Sequence, residues 1–221
     1  MNGGLILEEQ HVPFIAVEGP IGVGKTSLSN KIATHFYFHL LKEIVEENPF
    51  LGKFYDNIEE WSFQTEMFFL CNRYKQLEDI KKHYLKEGKP VVSDYHVMKN
   101  MIFAKRTLQS DQFEKYEKIF HILTADMPKP NIMIYIHASL DTLLERIKLR
   151  GRDVEQNIQP SYLKQLSEDY DTFMEEFERN HPHIPVIRLN GDDLDFIKHQ
   201  EDLDFILEEV EKHLHKGEVL T

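Results

Sequence analysis

Cysteine is all but absent from this 221-residue chain, where Cys71 stands alone. A single thiol excludes an internal disulfide and a cysteine-built metal centre. Long hydrophobic runs are missing too: none approaches the roughly 20 residues that a membrane span needs. No basic segment followed by an apolar one opens the chain, so a secretory leader is not expected and a cytoplasmic setting is. Cations are in deficit, with 26 Lys and Arg against 38 Asp and Glu and a formal net charge of −12. Extended binding to nucleic acid or to an anionic membrane needs a positive field, so neither partner is expected. A compact polyanion would have to be held by cations gathered locally against that field.

What remains is ordinary for a globular protein: 41% hydrophobic and 29% charged residues. Met1 to Val12 reads as a tail with Gly3-Gly4 and no period. Residues 13–221 read as one domain with a sizeable core. Short apolar runs at Phe14–Val17, Leu40–Val45, Val91–Ser93, Ile132–Ile136 and Val186–Leu189 predict strands. Helical patterns fall at Lys25–Phe36, Glu59–Lys86, Phe113–Ala125, Leu140–Leu149, Ser161–Glu178 and Leu203–His215. Alternation of this kind predicts an α/β fold, a doubly wound parallel five-stranded sheet flanked by helices. Ligands of such sheets bind beyond the carboxyl ends of the strands.

The first strand runs into Gly19-Pro-Ile-Gly22-Val-Gly24-Lys25-Thr26-Ser27 and then a helix, the strand–loop–helix setting of a phosphate-binding P-loop. The glycines let backbone N–H groups wrap a phosphate, and the helix N-terminus adds its dipole. Lys25 can reach the terminal phosphates, and the Thr26 hydroxyl can join a Mg²⁺ shell. The motif implies phosphate binding without naming an acceptor. Glu43, near the end of the second strand, and Asp94, after the third, belong at the ligand edge. There one carboxylate can hold Mg²⁺ and another can orient and deprotonate an attacking hydroxyl. The competing reading is that Glu43 is one more solvated acid. Asp94 follows a buried strand, where an acid without a partner is costly.

On the long helix, Glu66 and Arg73 are seven residues apart, about 10 Å along one face, with Phe69 and Leu70 between them. A carboxylate only accepts hydrogen bonds and a guanidinium only donates. Guanine offers N1–H and an amine to the first, and O6 and N7 to the second. Two unrelated charges on a solvated face are the alternative. Arg146, Arg150 and Arg152 cluster where a helix ends at Gly151. As a lid they could clamp a transferring phosphoryl group; as helix C-terminal cations they would merely offset the dipole.

Together these motifs resemble the deoxyribonucleoside kinase family, particularly its bacterial deoxyguanosine kinase branch. The resemblance runs from about Pro13 to His213. It is carried by Gly19–Thr26, Glu43–Phe50, Lys53–Asp56, Trp61–Met67, Asn72–Leu77, Asp94–His96 and Arg146–Arg152 with Glu155. It implies a P-loop kinase architecture with an arginine-rich lid, using ATP and Mg²⁺ on a deoxynucleoside, as a homodimer. It implies Glu43 as the base for the 5′-hydroxyl and Lys25, Arg146, Arg150 and Arg152 on the phosphates. Thr26 and Asp94 would surround Mg²⁺, and Tyr55 and Glu155 would hold the 3′-hydroxyl. Glu66 falls where many relatives carry a base-reading glutamine and Arg73 on the base-reading arginine. Losing the amide donor favours guanine over adenine or cytosine. The segment around Asp192 resembles the loop that holds ATP's adenine. Many members carry acid-Arg-Ser where this chain has Asp94-Tyr95-His96. Tyr95, His96 and Lys99 are the candidates to replace that arginine. Three other readings are weighed. They are a relative preferring deoxyadenosine or deoxycytidine, a nucleoside monophosphate kinase, and a non-catalytic nucleotide switch. Acids at Glu43, Glu46 and Glu47 disfavour the monophosphate kinase, whose acceptor phosphate needs cations there.

Overall fold

A computed structural model describes residues 12–45, 47–155 and 157–219. The expected tail lies outside the described residues except for Val12, and so does Glu46. Five strands form one all-parallel sheet in the order β2-β3-β1-β4-β5, where β1 is Phe14–Glu18, β2 His39–Leu41, β3 Val91–Ser93, β4 Ile132–His137 and β5 Val186–Asn190. Every residue of β1 is buried, as expected for a central parallel strand covered on both faces.

Eight α-helices surround the sheet among the described residues: α1 Lys25–Phe36, α2 Leu51–Asp56, α3 Ile58–His83, α4 Lys99–Thr107, α5 Ser110–Thr124, α6 Leu140–Arg150, α7 Pro160–Asn180 and α8 Gln200–Val219. Their ends are written in the sequence. Asn57 caps α3 by accepting from the Glu60 amide at 3.3 Å, and acids open that helix while Lys81, Lys82 and His83 close it. Ser139 caps α6, and Gly151 ends it in the left-handed region at φ 64°. Proline occupies the first position of α7. The inner stripe of α7, Tyr162, Leu166, Tyr170, Met174 and Phe177, packs into the main core with β4. A second core joins α3, α5 and β3 through Leu70, Ile80, Tyr116, Phe120 and Val91. No described helix is long and apolar enough to cross a membrane.

Two differences from expectation matter for the cleft. The second strand ends at Leu41 rather than Val45, because the ladder stops there. The Asp94 amide donates to the Leu41 carbonyl at 3.1 Å, and the Glu43 amide turns to the Asp94 side chain instead of to a strand. Glu43 therefore sits in irregular chain beyond the strand. Helices α2 and α4, unexpected from periodicity, close two sides of the cleft.

Candidate active site

One cleft of about 950 Å³ opens at the carboxyl edge of the sheet. The phosphate loop forms its floor. Gly19 and Gly22 take φ of +147° and +88°, and a Cβ on either would press on backbone: 2.2 Å from the Ile136 oxygen or 2.8 Å from the Leu143 oxygen. Gly22→Ala should therefore cost at least about 1–2 kcal/mol for the left-handed backbone alone. A urea-unfolding midpoint equal to the parent's would show that the loop relaxes around the methyl group. Gly24, at φ +107°, stands 3.1 Å from the Phe196 ring when given a Cβ, so Phe196 sets the wall beside it. Ser27 lines the same wall and is exposed.

Lys25 folds back on its own loop, donating to the Gly19 carbonyl at 2.7 Å and that of Pro20 at 2.9 Å. Burial, followed by repulsion from Lys99, lowers its ammonium to about 8. Glu18, buried at the end of β1, accepts from the Gly19 amide at 3.1 Å and the His96 amide at 2.5 Å. Burial pushes its carboxyl upward. An acid that closes an otherwise apolar strand is the signal that could have marked Glu18 beforehand.

Asp94 joins the two ends of the cleft. Its Oδ2 accepts from the Thr26 hydroxyl at 2.5 Å and its Oδ1 from the Glu43 amide at 2.7 Å. The Glu43 carboxylate is gripped by two cations. Arg73 donates Nε at 3.0 Å, and also Nη2, to Oε1, while Lys99 Nζ donates to Oε2 at 2.7 Å. Burial pushes the Glu43 carboxyl up, but Lys99 and Arg73 outweigh it and hold the group well below the usual carboxylate range. Arg73 also stacks on Phe69, 4.7 Å from the ring centroid.

Glu66 and Arg73 do line the cleft from one face of α3, at 2% and 3% exposure. Phe69 lines it between them, whereas Leu70 turns into the second core. Glu66 Oε2 and Arg73 Nη1 are buried without a hydrogen-bond partner. Burial raises the Glu66 carboxyl to about 8, against the pull of Arg73 and Lys99. Burial thus works against the ionised form, and it is to that form that the acceptor-only character read from the sequence belongs.

The remaining predicted residues sort themselves. Tyr55 lines the cleft, and burial raises its phenol. Arg146 donates to the carbonyls of Val23 at 2.9 Å and Gly191 at 2.7 Å, which ties α6 to the phosphate loop. Arg150 is bonded to Glu155, and Arg152 lies 3.6 Å from it, so two of the predicted phosphate cations rest on a predicted sugar ligand. Asp192 stands apart: its carboxylate accepts from the Ser139 amide and hydroxyl at 2.9–3.1 Å, outside the cleft wall. Asp195, Phe196, Ile197 and Lys198 line the cleft there instead.

Of the three candidates for the missing arginine, Tyr95 is buried and donates to Gln76 at 3.1 Å. His96 is buried edge-on to Phe177, and burial drops its imidazole to about 3, so it carries no charge. Lys99 alone of the three reaches the cleft.

The chain matches the deoxynucleoside kinase family over residues 15–215. The deoxyguanosine kinase of Bacillus subtilis (strain 168) is 54% identical over 200 residues, which are 90% of this chain and 97% of that protein. The deoxyadenosine/deoxycytidine kinase of the same organism is 29% identical over 223 residues, covering 96% and 99%. The deoxyadenosine kinase of M. mycoides, solved with dATP bound, has the same fold, with a TM-score of 0.77 at 24% identity over 90% of this chain and 99% of that one. Family match and identity decide what the cleft by itself leaves open: this chain belongs to the deoxynucleoside kinase family and is a phosphotransferase.

Proposed function

We propose that the protein transfers the γ-phosphoryl group of ATP to the 5′-hydroxyl of a purine deoxynucleoside, with deoxyguanosine as substrate. The observation that carries the base is the pair of buried, unpartnered atoms of opposite character on α3, Glu66 Oε2 and Arg73 Nη1. Buried polar atoms are seldom left unpaired, and an acceptor and a donor flanking an aromatic wall match the two edges of guanine. The 54% identity to a deoxyguanosine kinase supports the same choice.

Glu43 takes the 5′-hydroxyl proton as the oxygen forms its bond to the γ-phosphorus. The bond from that phosphorus to the bridging oxygen breaks, and ADP leaves with the electron pair. A carboxylate held far below the usual range is a weak base. That suits a loose transition state in which positioning counts more than basicity. Lys25, Arg146, Arg150 and Arg152 neutralise the phosphates, the last two after leaving Glu155, which with Tyr55 then holds the 3′-hydroxyl. Gly19, Gly22, Gly24 and Ser27 shape the loop around the nucleotide. The backbone near Asp192, rather than its occupied carboxylate, serves the adenine. A hydroxyl and a carboxylate in contact, Thr26 and Asp94, are oxygen donors of the kind Mg²⁺ takes. Mg²⁺ would supply charge neutralisation between the β- and γ-phosphates. We read residues 13–221 as one kinase domain, cytoplasmic and homodimeric; a monomer in sedimentation equilibrium would refute the dimer.

A second reading, deoxyadenosine or deoxycytidine, is favoured by the upward shift of the buried Glu66 carboxyl, since a neutral carboxyl donates and accepts as glutamine does. One experiment separates them: kcat/KM for deoxyguanosine, deoxyadenosine, deoxycytidine and thymidine between pH 6.5 and 9, with deoxyguanosine monophosphate as control acceptor. Two N–H donors of guanine require an ionised Glu66, so below about 8 its binding must expel a proton. The deoxyguanosine value should therefore rise by up to about tenfold per pH unit toward 8, while that for deoxyadenosine stays flat. Glu66→Gln should abolish the slope and weaken the deoxyguanosine preference about 10- to 100-fold. An unchanged base ranking in that variant would remove Glu66 from base recognition.

A further inference from the structure

Glu43 presents four acceptor positions when ionised, two on each oxygen. Oε1 has both taken, by Nε and Nη2 of Arg73. Oε2 has one taken, by Lys99 at 2.7 Å. A hydroxyl that donates to Glu43 therefore uses the oxygen that Lys99 already holds. Two donors sharing one acceptor oxygen stand ~4–5 Å apart by ordinary hydrogen-bond geometry. The acceptor oxygen of the reaction and the Lys99 ammonium are thus neighbours by construction.

The lysine is well placed to stay there. Its side chain is 8% exposed, its amide is fixed by the His96 carbonyl at 3.0 Å, and its ammonium lies 5.5 Å from the Phe103 ring centroid. An ammonium has three donors, and Glu43 uses one. Lys25 lines the same cleft and is near enough for Lys99 to repel its charge.

We propose that Lys99 is a catalytic residue: anchored on Glu43, its ammonium meets the equatorial oxygens of the phosphoryl group as it reaches the 5′-oxygen. This rests on Glu43 being the base. Lys99 exchanges no proton in the step. The hydroxyl proton goes to Glu43, the 5′-oxygen bonds to phosphorus, and ADP departs with the electrons of the broken bond. The two remaining N–H donors of Lys99 serve the phosphoryl oxygens while the third stays on Glu43.

The test is steady-state kinetics of Lys99→Met and Lys99→Arg, with folding followed by circular dichroism. Lys99→Met should lose ~10²–10³ in kcat, the scale of one transition-state donor, while KM for the nucleoside moves less than about fivefold. Lys99→Arg should recover to within about tenfold of the parent, since it keeps the charge. If Lys99→Met does not fold, Lys99→Gln takes its place with the same expected loss. A kcat within threefold of the parent in the uncharged variant overturns the proposal. So does an equal loss in Lys99→Arg, which marks a purely structural role. Glu43→Gln run alongside keeps the two readings apart. If that variant is active, the base assignment fails; if it is dead while Lys99→Met is active, only the lysine proposal does.

Discussion

Glu43→Gln should lower turnover by about 10³-fold or more, near the upper end of what a positioned base contributes. Nucleotide binding should survive, because Glu43 makes no bond to the phosphate loop; its links run to Arg73, Lys99 and, through its amide, Asp94. Glutamine keeps the size and one acceptor oxygen but cannot take the proton. It also leaves two nearly buried cations facing a neutral amide, so some loss of thermal stability should accompany the loss of rate. The measurement is single-turnover phosphoryl transfer beside a nucleotide titration. Near-normal transfer would refute the base assignment, and joint loss of transfer and nucleotide affinity would point to a collapsed cleft.

Arg73→Met should be the most destabilising of these single changes, by about 3–5 kcal/mol, the usual cost of breaking a buried ion pair from one side. The pair is 3% and 9% exposed, so bulk water has little access to replace the guanidinium. Urea unfolding gives the readout, and a double-mutant cycle with Glu43→Gln gives the pair's share: the double variant should lose less than the sum of the singles. The pH dependence follows from the direction of the Glu43 shift. Its folded carboxyl titrates below the ordinary 4.5, so its ion pairs add stability above that value and lose it as pH falls through and below it. Arg73→Met should flatten that acid-side decline. An unfolding midpoint within error of the parent's would mean that Lys99 alone neutralises Glu43.

The parallel sheet and the phosphate loop were legible because their signals are local: an apolar run, three glycines, a lysine and a helical period in immediate succession. Helices α2 and α4 escaped because six and nine residues give the period too few turns to declare itself. The second strand was overextended to Val45 since Leu40–Val45 is apolar enough; what stops it is an Asp94 side chain more than fifty residues away, which no window contains. The spacing of Glu66 and Arg73 was readable from the helix alone. Arg73's commitment to Glu43 was not, for the partner lies thirty residues upstream. The upward shift of Glu66 was hidden for a related reason, because desolvation belongs to the packed cleft and not to the residue. Lys99 could be shortlisted but not chosen over Tyr95 and His96 until the turn after β3 showed that both are buried away from the cleft.

Asp94 spends one carboxylate oxygen on Thr26 and the other on the Glu43 amide. If Thr26 and Glu43 serve the two substrates as proposed, that one group stands in both binding equilibria. A nucleotide that displaces the carboxylate at Thr26 would change nucleoside affinity at the acceptor end, and thermodynamic reciprocity would require the nucleoside to change nucleotide affinity by the same factor. The two binding events would be linked through one side chain, without a domain having to move.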